Sequence, residues 1–306
     1  MKFSFLLALL IFTSPSFAQE SNYIEQDVSI DNLFNGTLLL PKAEKPPLVI
    51  LLAGSGPLDK DGNTNFMKGN MLKKLAERLG DNNIASFRYD KHSLRQIKKG
   101  KYDLDYTFDI FIEDAKTALR HFKSKSVFGK VYILGHSQGS LVGMIAAHGQ
   151  ADGFISIAGA GQSIDDVITY QINASAPQFT EDSKRVFGIL KEGSTTDDFP
   201  AALASIFNKQ TQPFMMSWMK YDPQDEIKKL DIPVLIIKGT NDIQVTVEEA
   251  NLLHSAYPDS KMVLIEKMNH VLVPIEGERL ENVKSYNEPN REFSTELISA
   301  LIDFIK

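Results

Sequence analysis

A strand that bends abruptly into a helix around one serine leaves a chain few ways to fold. Val131-Tyr132-Ile133-Leu134-Gly135-His136-Ser137-Gln138-Gly139 has the composition of such a bend. The run 131–134 is apolar and rich in β-branched and aromatic residues, which predicts a buried strand. A sharp turn from strand to helix brings the residues two before and two after its apex close together. A Cβ at either place would clash, and glycine at 135 and 139 removes both clashes. Ser137 then takes the strained apex, where its hydroxyl is pushed out of the fold as a candidate nucleophile. The following Ser140-Leu141-Val142-Gly143-Met144-Ile145-Ala146-Ala147 is small or apolar enough for a helix to pack closely on a sheet. That position, between a buried strand and a helix, separates Gly-x-Ser-x-Gly here from a chance match in a loop.

At 306 residues the chain allows one large domain, or one with a substantial insertion, and a core of ample size. Its 43% apolar and 24% charged residues are ordinary for a globular protein. A formal charge of −6 disfavours a nucleic-acid surface, and the basic stretch Lys98-Lys99-Gly100-Lys101 reads as a solvated loop. Residues 1–18 carry an export pattern: Lys2, an apolar run over 3–12 too short to span a bilayer, and a small-x-small site at Ser16-Phe17-Ala18. Cleavage after Ala18 is expected, giving a periplasmic or secreted protein without a stable membrane anchor. The chain has no cysteine, which excludes a lipoprotein anchor, disulfides and thiol catalysis and suits an oxidising compartment. The pattern carries no reading of oligomeric state.

Alternation over 25–30 and 36–40 around Asp31-Asn32 predicts an N-terminal hairpin. Leu48-Val49-Ile50-Leu51-Leu52, entered through Pro46-Pro47, reads as a strand buried on both faces. Further short apolar runs stand at 84–89, 154–157, 234–237 and 262–265. Between the runs lie amphipathic helical patterns at 67–79, 108–122 and about 294–305. Strands alternating with helices imply an α/β fold, with a mostly parallel central sheet flanked by helices. The alternation breaks over 161–230, which is helical in pattern, lacks a buried strand and holds Phe187, Phe199, Phe207, Phe214, Met215, Met216, Trp218 and Met219. We read 161–230 as a helical lid inserted into a core made of 19–160 and 231–306. Most of its aromatic and methionine side chains are expected to form the lid's own core, and some to line the space above Ser137.

A serine nucleophile needs a base, and the base needs a carboxylate to orient it. The strand at 234 runs into Gly239-Thr240-Asn241-Asp242, and the strand at 262 into Glu266-Lys267-Met268-Asn269-His270. Both Asp242 and His270 therefore stand just past the carboxyl ends of strands, where open parallel sheets carry function. Thr240 and Thr246 are neighbours that could share the site. Of the other histidines, His136 lies inside the turn, His92 and His121 precede it, and His148 and His254 fall in helical patterns. The oxyanion of a tetrahedral intermediate needs two donors. The backbone N–H of Gln138 is one, and that of Ser55 in Ala53-Gly54-Ser55-Gly56-Pro57 is the chosen second, since Pro57 has none to give.

Taken together these segments resemble an α/β-hydrolase of the serine-aminopeptidase-like (S33-type) esterase group. The resemblance rests on Gly36-Thr37-Leu38-Leu39-Leu40-Pro41, the stretch from Ala53 to Asn63, Arg88-Tyr89-Asp90-Lys91, Gly135-His136-Ser137-Gln138-Gly139, Gly239-Thr240-Asn241-Asp242 and Asn269-His270. It covers nearly the whole mature chain and implies a Ser-Asp-His hydrolase on Ser137, Asp242 and His270, with no cofactor. The chain departs from the group's usual pattern at His92-Ser93, where Arg-Gly is usual, and at Gly139-Ser140, where Gly-Gly is usual.

Asp59-Lys60-Asp61-Gly62-Asn63 superficially resembles the start of a calcium loop. Its glycine comes one position early and Asn70 stands where the loop's glutamate belongs, so no metal is expected and the segment reads as a turn bracing the oxyanion loop. The expected activity is carboxylester hydrolysis of small or medium acyl esters. A peptidase would need an acid for the substrate's ammonium, and the lid offers Asp165, Asp166, Glu181, Asp182, Glu192, Asp197 and Asp198, all expected to be solvated. An acyltransferase would use the same triad. A non-catalytic binder is disfavoured by three filled positions, and a dehalogenase by serine where that chemistry uses aspartate.

Overall fold

The computed structural model describes residues 22–101 and 106–306. The export pattern at 1–18 lies outside them. The chain opens with an antiparallel hairpin, β1 (Tyr23–Ile30) and β2 (Phe34–Pro41). Asp31 and Asn32 both take the left-handed conformation that a right-twisted hairpin turn requires, and Leu33 N–H closes it on Ile30 O at 2.8 Å. Then come β3 (Leu48–Leu52), α1 (Met71–Asp81), β4 (Ala85–Tyr89), α2 (His92–Lys98), α3 (Asp109–Lys123), β5 (Val131–His136) and α4 (Gln138–Ala147). After β6 (Gly153–Ile157) the chain runs through α5 (Ile164–Ser175), α6 (Thr180–Lys191), α7 (Ala204–Phe207), α8 (Gln212–Trp218) and α9 (Pro223–Ile227) before returning to the sheet. It ends with β7 (Val234–Gly239), α10 (Val247–Ala256), β8 (Lys261–Ile265), α11 (Arg279–Ser285) and α12 (Thr295–Ile305).

The eight described strands form one sheet in the order β1-β2-β4-β3-β5-β6-β7-β8. β1, β2 and β4 pair antiparallel, and every pairing from β4 through β8 is parallel. Alternation within each buried strand divides the core in two. Leu48, Ile50, Leu52, Val131 and Ile133 pack on one face with α3 and α4, while Val49, Leu51, Tyr132 and Leu134 pack on the other with α1 and α12. The fold expected from the sequence is the one observed.

Two local expectations change. The first long helix starts at Met71, not at 67, because Asn70 has a left-handed backbone (φ 51°) and exchanges hydrogen bonds with Asn63. That reciprocal pair holds the preceding loop outside the helix. Helix α2 was not expected at all, and none of its side chains is fully buried, so it leaves no apolar stripe in the sequence. Lys98 closes this helix, and only Lys99 to Lys101 form the exposed loop. Between β6 and β7, Ile172, Val186, Phe187, Leu190, Leu203, Phe207 and Met215 form a hydrophobic cluster of their own. Ile227 and Leu230 already pack in the core of the sheet.

The bend after β5 is tight. Ser137 has φ 55° and ψ −121°, and an ideal Cβ on Gly135 would lie 2.1 Å from Gly139 O. One on Gly139 would lie 2.5 Å from Leu52 O on the neighbouring central strand. In an open helix Gly→Ala gains about 1 kcal/mol. For Gly139→Ala the overlap with unyielding backbone dominates, and urea unfolding should show a net loss of about 2–3 kcal/mol.

Candidate active site

Ser137 sits between the last residue of β5 and the first of α4, its N–H bonded to Ile157 O at 2.9 Å. Its neighbours in the turn are buried, whereas Ser137 is half-buried and lines a cavity. Asp242 follows β7 and His270 follows β8, as their strand ends require. His270 Nδ1 meets Asp242 Oδ2 at 2.8 Å, with the aspartate side chain 1% exposed. The other carboxylate oxygen, Oδ1, accepts the backbone N–H groups of Gln244 (2.8 Å) and Val245 (3.0 Å). Burial alone would raise the Asp242 pKa. The charges and hydrogen bonds of His270 and Lys238 outweigh it and hold the carboxyl well below the usual range. Asp242 therefore stays ionised.

Three polar neighbours make contacts that the sequence did not assign to them. Lys238, fully buried at the end of β7, pairs with the same Asp242 oxygen that His270 uses. A lysine closing an apolar strand four residues before an aspartate was the available signal. His136 meets His270 O at 2.8 Å through Nε2, and their rings lie 4.8 Å apart. Burial first, and then the charge of His270, pushes the His136 pKa down to about 3, so the ring is neutral and donates from Nε2 to the carbonyl. Asn269 shapes the loop that carries His270. Its Oδ1 accepts Val271 N–H and Val273 N–H, and its Nδ2 reaches Asn282 Oδ1 and Ser285 Oγ. Thr240 is occupied elsewhere, accepting Lys267 N–H at 2.8 Å.

Ser137, Gln138, His270 and Ser55 all line one cavity of about 880 Å³. Its remaining wall is largely apolar and includes Leu141, Ile168, Phe214, Met215 and Trp218. Of the aromatic and methionine residues between β6 and β7, Phe187 and Phe207 pack within their own cluster, Phe214 and Trp218 face the cavity, and Met215 does both. Helix α8 is fastened to the start of α3. The Trp218 and Phe108 rings stack at 5.2 Å, and Phe108 N–H donates to Ser217 Oγ at 2.7 Å.

One acid expected to be solvated is buried. Asp165 is 4% exposed, bonded by Ser163 Oγ and paired with Lys191. The reason is its place in the first turn of α5, where it takes up a cation from α6. In the Asp59 loop, Asp59 Oδ1 accepts the N–H groups of Asp61 and Asn63, and Asp61 accepts Arg88 Nε at 2.9 Å. These carboxylates hold the loop to its own backbone and to β4.

No family model matches the chain. It is 27% identical over 278 residues to Esterase EstD of Thermotoga maritima, covering 86% of this chain and 63% of that protein. The chain thus spans less than two thirds of its curated relative. Among solved structures it is similar to Est1E from Butyrivibrio proteoclasticus with bound ferulic acid, with a TM-score of 0.58 and 18% identity over 92% of this chain and 99% of that one. It is also similar to the α/β hydrolase GrgF from a Penicillium species, with a TM-score of 0.56 and 12% identity over 92% and 99% of the two chains. By its sheet order, its strained serine turn and these likenesses, the chain has the α/β-hydrolase fold and is similar to esterases that share it.

Proposed function

We propose that the protein is an exported serine hydrolase, a carboxylesterase that cleaves small or medium acyl esters through an acyl-enzyme on Ser137. The observation that carries this reading is the 2.8 Å contact between His270 Nδ1 and Asp242 Oδ2, beside a strained serine on the same apolar cavity. In the first half-reaction Ser137 Oγ attacks the ester carbonyl carbon while His270 Nε2 takes its proton. The carbonyl oxygen becomes an oxyanion, received by the backbone N–H groups of Gln138 and Ser55. The bond to the alcohol breaks, and His270 returns its proton to the departing oxygen. Water then attacks the acyl-serine by the same steps in reverse, releasing the acid and restoring Ser137. Asp242 keeps the proton of His270 on Nδ1, so that Nε2 is free to act as base. The segment 161–230 acts as the lid that sets acyl specificity. A cavity of this size and apolar lining suits an acyl chain of medium length.

An S33-type serine aminopeptidase or an acyltransferase would employ the same three residues. The peptidase reading draws no support from Asp165, whose carboxylate is already paired with Lys191. The deciding experiment runs p-nitrophenyl esters from acetate to octanoate beside aminoacyl anilides on the purified protein. A fluorophosphonate probe, mapped by peptide analysis, identifies the nucleophile. Ester turnover above anilide turnover, with the label on Ser137, is expected. A label on another residue, or faster anilide cleavage, refutes the assignment, and ester formation with an added alcohol outpacing hydrolysis identifies a transferase. The exported protein should begin at Gln19 by N-terminal sequencing.

A further inference from the structure

Three residues after β4 hold the loop after β3 at every second position, by four contacts. Lys91 Nζ donates to Gly54 O, Ser93 Oγ to Gly56 O (3.3 Å), Lys91 N–H to Leu58 O (3.0 Å), and Lys60 N–H to Asp90 Oδ1 (2.9 Å). Three of these four contacts join the loop only to the segment just after β4. Lys91 also donates from Nζ to the side-chain Oε1 of Gln138, the first residue of α4. One side-chain nitrogen therefore joins two segments far apart in sequence that meet beside Ser137. An ideal Cβ on Gly54 would stand only 3.2 Å from Ser137 Cβ.

We propose that Lys91 is a positioning residue for the oxyanion site, locking its two halves together and strengthening the donor on the Ser55 side through the Gly54–Ser55 peptide. The inference rests on the serine-hydrolase reading above and adds to it. Gly54 C=O and Ser55 N–H are the two ends of a single conjugated amide. A cation on the oxygen withdraws electron density from that amide and makes its N–H a stronger donor, as in any polarised chain of hydrogen bonds. The same ammonium fixes Gln138, whose own N–H is the other donor.

The surroundings of Lys91 favour this role over a purely structural one. The residue is 7% exposed, its Nζ lies 4.6 Å from the centre of the Phe111 ring, and both acceptors that it bonds are neutral. Burying an ammonium on neutral partners is costly, and burial lowers the Lys91 pKa to about 7. A neutral donor would have sufficed to hold the loop. The negative charge that compensates a buried cation at this place arises when the ester carbonyl becomes an oxyanion, so the attraction is greatest in the transition state.

The test compares wild type, Lys91→Met and Lys91→Gln in p-nitrophenyl butyrate hydrolysis and in binding of an alkylboronic acid, which forms a tetrahedral adduct on the nucleophile. Methionine keeps the apolar stem without charge or donor, and glutamine keeps a donor without charge. For Lys91→Met we expect kcat to fall by about 10–100-fold, less than the loss of a direct oxyanion donor, with KM within about twofold. Boronate affinity should fall by the same factor as kcat while the melting temperature holds. Lys91→Gln should lose about tenfold, since a neutral donor polarises the peptide less. Either variant, folded and with kcat within threefold of wild type, overturns the proposal, as does a loss of kcat without a loss of boronate affinity. Ser137→Ala run alongside separates the two readings. If that variant still hydrolyses the ester, the serine-hydrolase assignment has failed. If it is inactive while either lysine variant keeps kcat within threefold of wild type, the role of Lys91 alone has failed.

Discussion

Ser137→Ala is expected to lower kcat for p-nitrophenyl butyrate by about 10⁴–10⁶-fold, with little change in KM or melting temperature. The hydroxyl supplies the only covalent attachment point in the proposed reaction, so its loss removes the acyl-enzyme route altogether. Fold should be spared, because the backbone strain at Ser137 (φ 55°) is a property of the turn and not of the side chain, and alanine at the apex adds no atom. On the proposed mechanism, what remains is water attacking an ester held by the cavity and by the proposed Gln138 and Ser55 donors. Progress curves at high enzyme concentration, with fluorophosphonate labelling as the control for site occupancy, measure the effect. Residual activity above one hundredth of wild type rules Ser137 out as the nucleophile.

Asp242→Asn is expected to cost about 10⁴-fold in kcat by a different route. The carboxylate oxygen that meets His270 Nδ1 at 2.8 Å is an acceptor only, so it fixes the imidazole proton on Nδ1. An amide can present its NH2 there instead, which moves the proton to Nε2 and leaves the base with nothing to accept into. The substitution also strips the buried Lys238 of its carboxylate partner. We therefore expect an accompanying loss of about 3 kcal/mol in stability, since removing one member of a buried pair strands the other. Steady-state kinetics read the first effect and urea unfolding the second. If kcat falls less than tenfold while His270→Ala is inactive, Asp242 is not the orienting group.

Features with a local cause were open to reading. A strand buried on both faces must be apolar at consecutive positions, so 48–52 and 131–134 are recognisable one residue at a time. The turn at Ser137 announces itself because only glycine escapes overlap with Gly139 O and Leu52 O. Asp242 and His270 followed from strand ends alone. Helix α2 was missed because a helix with no fully buried side chain carries no periodic apolar signal. The solvated reading of Asp165 failed because its burial depends on Lys191, which an intervening turn and helix α6 bring to it.

The sequence by itself determined the α/β architecture, the serine at its bend and the places of Asp242 and His270 at two strand ends, because each is dictated by steric or hydrophobic rules acting within a few neighbouring residues. Tertiary structure alone decided what stands behind them. Lys238 shares the Asp242 oxygen with His270, His136 pins the His270 backbone across 134 residues, and Lys91 joins Gly54 to Gln138 across 37 and 47. In sequence these are a strand-end lysine, a histidine in a turn and a lysine after a strand, with nothing to mark their partners. Their chemistry comes from burial, which strips away water and makes each remaining polar contact count, and burial is settled only when distant segments pack.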